Sequence, residues 1–255
     1  MKKPARTTEH VCIGGVDVSI ASRTQLVEIV LQPCAHSPND KPKLLFDTNG
    51  HAISLAATDS SFSSALEHAD IIHADGASVV AASRFLTPKV ISERSATTDL
   101  IHDLARRCEA IGQSFYLLGG TEQVNAEAAA ILAKLYPELR IAGRHHGFFS
   151  EDEVESVLTS IAQANPDILW VGMGKPREQL FSIRHQEEIS AKWIITCGGC
   201  FNFISGHYRR APKWVQAIGM EWLWRALTSP RTLLWRYLTT TPHAVWLMVR
   251  HRALS

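Results

Sequence analysis

The sequence predicts an α/β fold: a doubly wound, mostly parallel sheet with helices on both faces, followed by a helical C-terminal appendage rich in basic and aromatic residues. Residues 1–206 alternate short β-branched or aromatic runs with longer helical patterns, as right-handed βαβ crossovers require. After Ala211 the alternation stops and the pattern becomes helical. The chain has 255 residues, 45% of them hydrophobic, which suffices for a sizeable core.

Six short apolar runs predict the strands of the sheet. Several of them end in Gly or Asp, which is typical of buried strands in a parallel sheet. The predicted strands are Leu44–Asp47, Asp70–His73, Ser114–Leu118, Leu139–Ala142, Asp167–Val171 and Trp193–Thr196.

Helical patterns fill the intervals between these runs. Ser150 can cap one helix, whose first turn carries three acidic residues, and Pro176 fits the first turn of another. The predicted helices lie near residues 51–69, 76–86, 97–111, 121–136, 151–164 and 176–190. Three residues are expected to separate the later helical stretches: Gly219, Pro230 and Pro242.

The charge distribution divides the chain into two predicted parts, residues 1–206 and residues 207–255. The second part has eight Lys or Arg against one acid, Glu221, a balance of +7, and it holds five of the seven tryptophans. The first part has eighteen bases and twenty-four acids, a balance of −6. This polarity predicts a cytosolic body with a surface-binding tail.

The sequence also predicts a cytoplasmic location. No apolar stretch approaches the roughly 18–20 residues that span a bilayer, and no apolar segment of a signal peptide follows Lys2 and Lys3. The five cysteines are odd in number and scattered, as in a reducing compartment.

The candidate functional residues follow the predicted strands, because ligands on such sheets bind beyond the carboxyl ends of the strands. Asn49 follows the first strand, and Asp75 follows the second directly before a helix. Asp75 is a candidate general base, although on spacing alone an Asp-Gly turn or helix cap is favoured. Arg94 is a candidate phosphate ligand, and its alternative is a surface ion pair with Glu93 or Asp99.

Two glycine loops are candidate phosphate cradles. Gly119-Gly120 opens a helix after a strand, although double glycines also form ordinary turns. Gly172 and Gly174 match only the first part of the dinucleotide fingerprint, because Arg177 stands where its third glycine should be. A nicotinamide-dependent enzyme is therefore disfavoured, and no cofactor is expected.

No metal site is predicted. The chain lacks any Asp-x-Asp pair, and Cys197-Gly198-Gly199-Cys200 has no second cysteine pair to complete a zinc site. The two thiols are expected to act as small apolar groups, and His145-His146 is expected in a polar loop.

Several sequence blocks, taken in order, resemble the WecG/TagA/CpsF family of bacterial glycosyltransferases. The resemblance covers about residues 10–252. The blocks are DIIHADG at 70–76, Glu93-Arg94 with Thr98-Asp99-Leu100, FYLLGG at 115–120, VGMGKPREQ at 171–179, CGGCFNFISG at 197–206, Arg210-Ala211-Pro212, Gly219-Met220-Glu221-Trp222, Pro230-Arg231 and Arg236-Tyr237.

The resemblance implies an inverting, metal-independent transferase. It would move a sugar from a UDP-sugar to a polyprenyl-diphosphate-linked sugar, at the inner face of the cell membrane, in the synthesis of cell-surface polysaccharide. The sugar would be a hexose, an N-acetylhexosamine such as N-acetylmannosamine, or its uronic acid. Asp75 matches the catalytic base of the family, Arg94 its diphosphate-binding arginine and Asn49 the asparagine of its T-x-N motif.

This chain departs from the family pattern at three positions. Asp47 stands where threonine is usual, Glu178 where glutamine is usual, and Asn202 where Asp is common. The remaining predicted substrate-binding residues are Thr48, Gly119, Gly120, Gly174, Glu178, Gln179 and three tail arginines, Arg210, Arg225 and Arg231. The tail is expected to contact the membrane surface, and homo-oligomerisation stays open.

Two other functions remain as alternatives. The basic, aromatic tail suits a nucleic-acid-binding protein, although the acidic body and the ordered strand-end motifs argue against a nucleic-acid partner. The glycine loops suit an NAD-dependent sugar-modifying enzyme.

Overall fold

The computed structural model describes residues 8–33, 40–217, 219–228 and 230–252. It begins with a hairpin of β1 (His10–Ile13) and β2 (Val16–Ser19) and continues with α1 (Arg23–Leu31). Gly14 and Gly15 form the hairpin turn with φ of 59° and 87°, values that glycine adopts without strain. The sequence did not lead us to predict these three elements, because the strands are only four residues long and their apolar residues are interrupted by polar ones.

Six parallel strands form the central sheet and confirm the predicted fold class. They are β3 (Lys43–Thr48), β4 (Ile71–Ala74), β5 (Ser114–Gly119), β6 (Arg140–His145), β7 (Ile168–Gly172) and β8 (Trp193–Thr196). Their order is β4–β3–β8–β7–β5–β6. All six predicted strands are present, but β6 runs three residues beyond its predicted end. His145 is therefore its last strand residue and not part of a loop, and a register shift opposite Phe115 and Tyr116 accommodates the extension.

Helices cover both faces of this sheet. They are α2 (Gly50–Ala56), α3 (Ser60–Glu67), α4 (Ala77–Leu86), α5 (Thr97–Ile111), α6 (Glu122–Leu135), α7 (Val154–Ala164), α8 (Arg177–Arg184) and α9 (Cys200–Ile204), with a 3₁₀ turn at Glu151–Glu153.

Two helix predictions are corrected. The helix predicted over 51–69 is two helices, because Asp59 caps the second by accepting a hydrogen bond from the Phe62 N–H at 3.0 Å. The helix predicted over 176–190 ends at Arg184, where His185 follows with non-helical backbone angles. The helix predicted over 151–164 begins with a 3₁₀ turn over Glu151–Glu153 and is α-helical only from Val154, and the Ser150 N–H donates to the Glu153 carboxylate at 2.7 Å.

The core has two layers, one on each face of the sheet. Successive strand residues alternate between the layers, as in β3, where Leu44 and Phe46 lie in one and Leu45 lies in the other. The carboxyl ends of all six strands meet at one edge of the sheet, which brings the candidate residues together.

The C-terminal part forms three helices: α10 (Lys213–Ala217), α11 (Glu221–Thr228) and α12 (Pro230–Arg252). The expected break at Pro242 is wrong, because α12 continues through it. Tertiary contacts hold the helix there, since His243 Nδ1 lies 2.9 Å from the buried Ser54 hydroxyl of α2. Ala244, Leu247 and Met248 belong to the core layer that also contains Ile53. The division at residue 206 therefore stays a prediction, and α12 packs as part of the body.

Candidate active site

Asp75 and Asn49 meet at the carboxyl ends of β3 and β4. The Thr48 carbonyl accepts hydrogen bonds from the Asp75 N–H at 2.9 Å and the Gly76 N–H at 3.0 Å. Asn49 caps α2 through its Oδ1, and its Nδ2 lies 3.5 Å from Asp75 Oδ2. A Cβ on Gly76 would lie 2.8 Å from the Asn49 Cα, so only glycine permits this approach.

The Asp75 carboxylate is held in its ionised form. Its Oδ1 accepts the Thr97 N–H at 3.0 Å at the start of α5. Burial by itself would raise the pKa of Asp75, but the Arg94 guanidinium and the Thr97 N–H together hold it below its usual range. An ionised, partly exposed carboxylate at a strand end can accept a proton from a bound hydroxyl.

Arg94 lies beside Asp75, and its ionic partner was not predicted. Its Nε donates to the Asp75 carbonyl and its Nη1 donates to Glu221 Oε2, both at 2.5 Å. Burial alone would lower the pKa of Arg94, but Asp75 and Glu221 raise it. Neither predicted alternative partner takes this place, because Glu93 accepts the Arg23 N–H and Asp99 pairs with Arg210.

Glu221 is the functional-site residue that sequence reasoning missed most clearly. It comes from α11 and its side chain is only 10% exposed. A signal was present, because Glu221 is the only acid in the basic segment 207–255. A lone acid in such a segment suggests a specific basic partner, but the sequence does not identify which arginine it is.

The amides of two predicted glycine cradles are already hydrogen bonded. The Gly120 N–H donates to the Gly172 carbonyl at 3.0 Å, and the Gly174 N–H donates to Glu178 Oε2 at 2.9 Å. A Cβ on Gly119 would lie 2.2 Å from the Gly172 oxygen, so this glycine permits close contact between neighbouring strand ends. Substrate binding by Gly119, Gly120 and Gly174 stays a prediction.

Glu178 and Gln179 lie in a buried polar network below the strand ends, and both are fully buried. Gln179 Nε2 lies 3.2 Å from Glu178 Oε1 and 3.4 Å from the Thr196 hydroxyl. Burial raises the pKa of Glu178 to about 7, although the Lys175 ammonium opposes this shift. Gln179 Oε1 and the Thr48 hydroxyl are buried and have no hydrogen-bond partner within the described residues.

Two histidines beside this network were not predicted. His73 is fully buried in β4, and its Nδ1 lies 3.1 Å from the Ser95 hydroxyl. Burial lowers its pKa. His51, at the start of α2, has its pKa lowered to about 4 by burial and by the charges of Arg236 and Lys175. Burial therefore favours the neutral form of both histidines.

The predicted tail arginines occupy different settings. Arg210 forms two hydrogen bonds to Asp99, at 2.5 and 3.3 Å, and a third to Gln216 at 3.1 Å, so it fastens its segment to α5. The side chains of Arg225 and Arg231 lie outside the described part of the structure. Arg236 was not in the predicted site, yet its charge reaches His51 and its Nε has no partner within the described residues.

The cysteine pair lies apart from any candidate metal site in the described residues. Cys197 and Cys200 are free and buried, as expected of small apolar groups. Within the residues that the structure describes, no three His, Cys, Asp or Glu side chains are grouped so that they could hold a metal ion.

Comparison with known proteins identifies the family. The profile of the "Glycosyl transferase WecG/TagA/CpsF family" matches residues 11–255. A relative from Staphylococcus aureus (strain MRSA252), N-acetylglucosaminyldiphosphoundecaprenol N-acetyl-beta-D-mannosaminyltransferase, is 28% identical over 220 residues, which are 86% of this chain and 85% of the relative. Because the profile spans nearly the whole chain, this protein belongs to the WecG/TagA/CpsF family and is a glycosyltransferase.

Proposed function

We propose that this enzyme transfers N-acetylmannosamine from UDP-N-acetylmannosamine to a polyprenyl-diphosphate-linked N-acetylglucosamine, with inversion at the anomeric carbon and without a metal ion. The named relative supports the choice of both sugars. The observation that carries the proposal is the ionised Asp75 carboxylate at the end of β4, beside Asn49 and Arg94.

Asp75 would act as the general base. In an inverting transfer, one carboxylate removes the proton of the acceptor hydroxyl as the nucleotide leaves from the opposite face of the sugar. The hydrogen bond from the Thr97 N–H and the backbone anchors on Thr48 fix the carboxylate in place. This rigidity supports catalysis, because a positioned base avoids reorganisation during the reaction.

Positive charge for the leaving diphosphate would come from Arg94 and Arg236. Arg94 binds the Asp75 carbonyl just before α4, and the charge of Arg236 acts on His51 in the first turn of α2. The two helix starts approach each other closely, because a Cβ on Gly50 would lie 3.5 Å from the Ser78 hydroxyl of α4. Helix starts add partial positive charge, which also favours a phosphate there. Glu221 would hold the Arg94 guanidinium in the orientation that such an anion needs.

The acceptor would reach the site from the membrane surface, with α12 lying against the lipid headgroups on the inner face. One side of α12 packs on the core, while its other side exposes Trp235, Leu238, Val245, Trp246 and Val249. Arg250 lies over the Trp246 ring at 5.0 Å, so basic and aromatic groups are combined as at a headgroup interface. No described helix is both long and apolar enough to cross a bilayer.

A donor screen tests this proposal. The full chain would be assayed with a lipid-diphosphate-linked N-acetylglucosamine and with UDP-N-acetylmannosamine, its uronic acid, UDP-N-acetylglucosamine or UDP-glucose. We expect transfer from UDP-N-acetylmannosamine, a β-linked product by NMR and full activity in EDTA. Preference for another donor would refute the sugar assignment, and loss on chelation that Mg²⁺ or Mn²⁺ restores would refute metal independence.

A further inference from the structure

Three ionisable side chains, Asp47, Lys175 and Glu178, form a buried triplet beside the candidate active site. The Lys175 ammonium donates to Asp47 Oδ2 and lies 3.7 Å from Glu178 Oε1. The side chains of Lys175 and Asp47 are each 6% exposed, and that of Glu178 is fully buried. Charges removed from water in this way are stable only when they are paired, so each member depends on the others.

The triplet joins three strand ends. Asp47 lies in β3, and its Oδ1 accepts a hydrogen bond from the Thr196 hydroxyl of β8 at 3.0 Å. Glu178 Oε2 accepts the Gly174 N–H at 2.9 Å and the Gly198 N–H at 3.0 Å, in the loops after β7 and β8. Lys175 connects these two groups of contacts, because it binds Asp47 on one side and approaches Glu178 on the other.

The β3 end of the triplet leads directly to Asp75. Thr48 follows Asp47, and its carbonyl accepts the N–H groups of Asp75 and Gly76. A shift of Asp47 would therefore move the backbone that carries the candidate base. The two acids of the triplet are also two of the three positions at which this chain departs from the family pattern. Both of these departures therefore place a carboxylate beside the same lysine.

We propose that Lys175 is a positioning residue for sugar transfer. By bridging Asp47 and Glu178, it fixes the end of β3 relative to the loops after β7 and β8. Through Thr48, it thereby fixes the backbone of Asp75. This inference rests on the proposed function, in which Asp75 is the base.

Two variants test the bridge. Lys175→Met leaves two buried carboxylates without their cation, so we expect a much lower Tm. The triple variant Asp47→Asn, Lys175→Met, Glu178→Gln has nearly the same shape without any charge, so we expect it to recover most of the Tm. Lys192→Met is the matched control, because Lys192 pairs with Asp167 at the amino ends of the strands.

The triple variant shows whether Lys175 positions Asp75 or only neutralises the buried carboxylates of Asp47 and Glu178. With the bridge absent, we expect its kcat to stay about ten-fold below that of the native chain, while its KM for the donor changes by less than about three-fold. Amide hydrogen exchange at Asp75 and Gly76, measured by NMR, should be faster than in the native chain. Lys192→Met should keep the native kcat and the native exchange at both amides.

Two results would contradict a positioning role for Lys175. A triple variant with native kcat and native exchange would show that Lys175 only balances charge, and Lys175→Met with native Tm and exchange would show that the bridge is dispensable. Amide hydrogen exchange at Asp75 and Gly76 is measured without any sugar substrate. A native chain that transfers no sugar would therefore refute the proposed function, while the exchange rates would still decide the inference.

Discussion

At the scale of single residues, Asp75 combines three properties of a general base. It is ionised, it is fixed by backbone hydrogen bonds, and it lies next to the arginine that the proposed mechanism assigns to the leaving group. Glu221 adds a fourth element, because it orients that arginine from a helix 127 positions later in the chain.

The first prediction concerns Asp75→Asn. The amide keeps the size of the side chain but cannot accept the acceptor's proton, so turnover should fall by about 10²–10⁴ while the Kd of UDP stays nearly the same. Turnover and UDP calorimetry measure both effects. Asp59→Asn is the control, because asparagine also caps a helix well and Asp59 lies at the start of α3. Near-native turnover in a folded Asp75→Asn chain would exclude Asp75 as the base.

The second prediction concerns the pH dependence of stability. Burial raises the pKa of Glu178 from 4.5 to about 7, so the folded chain binds this proton more tightly than the unfolded chain does. The resulting stabilisation is complete below the unfolded pKa of 4.5 and is lost as the pH rises through about 7. The Tm of Glu178→Gln should therefore fall less than the native Tm between about pH 5 and about pH 8.

Thermal unfolding at several pH values measures this difference. Glu155→Gln, at an exposed position of α7, provides the control and should follow the native curve. Parallel curves for Glu178→Gln and the native chain would contradict the raised pKa of Glu178 in the folded chain.

At the scale of elements, α12 is both a core helix and an exposed one. Leu247 is 6% exposed and packs in the core layer, whereas Val249 on the same helix is 54% exposed. Leu247→Ala should lower the free energy of unfolding by about 2–5 kcal/mol, because it leaves a cavity. Val249→Ala should change it by about 0.5 kcal/mol or less. Urea unfolding gives both values, and equal effects would show that α12 does not dock on the body.

At the scale of the whole molecule, the exposed face of α12 predicts binding to the membrane surface. The double variant Trp235→Ser, Trp246→Ser should weaken binding to anionic liposomes by about ten-fold or more, since it removes two aromatic rings from that face. Salt should weaken native binding without abolishing it, because apolar contacts are not screened.

Sedimentation with liposomes at two salt concentrations tests this prediction. Leu135→Ser on α6 is the control, because it removes an apolar side chain that is 56% exposed elsewhere on the surface. Native liposome binding by the tryptophan variant would reject α12 as the membrane-contacting element.

The sequence by itself determined the six strands of the sheet and the places of Asn49 and Asp75 directly after two of them, while the structure showed that these two strands are neighbours. Both depend on local patterns: apolar runs mark buried strands, and residues that follow neighbouring parallel strands meet at one edge. The hairpin of β1 and β2 was missed, because β1 alternates exposed and buried residues, whereas the equally short β4 and β8 are buried throughout.

Only the tertiary structure decided which groups pair within the site. Lys175 and Asp47 are 128 positions apart, and Arg94 and Glu221 are 127 apart, so no local spacing connects them. The glycine loops illustrate the same limit: their sequence suggests free amides, but the fold brings the Gly172 carbonyl and the Glu178 carboxylate within hydrogen-bonding distance of them. Local periodicity indicates which residues are buried. The partner of a buried charge depends instead on how the chain packs. A buried charge is unfavourable without a partner, and only a group that is close in space can pair with it.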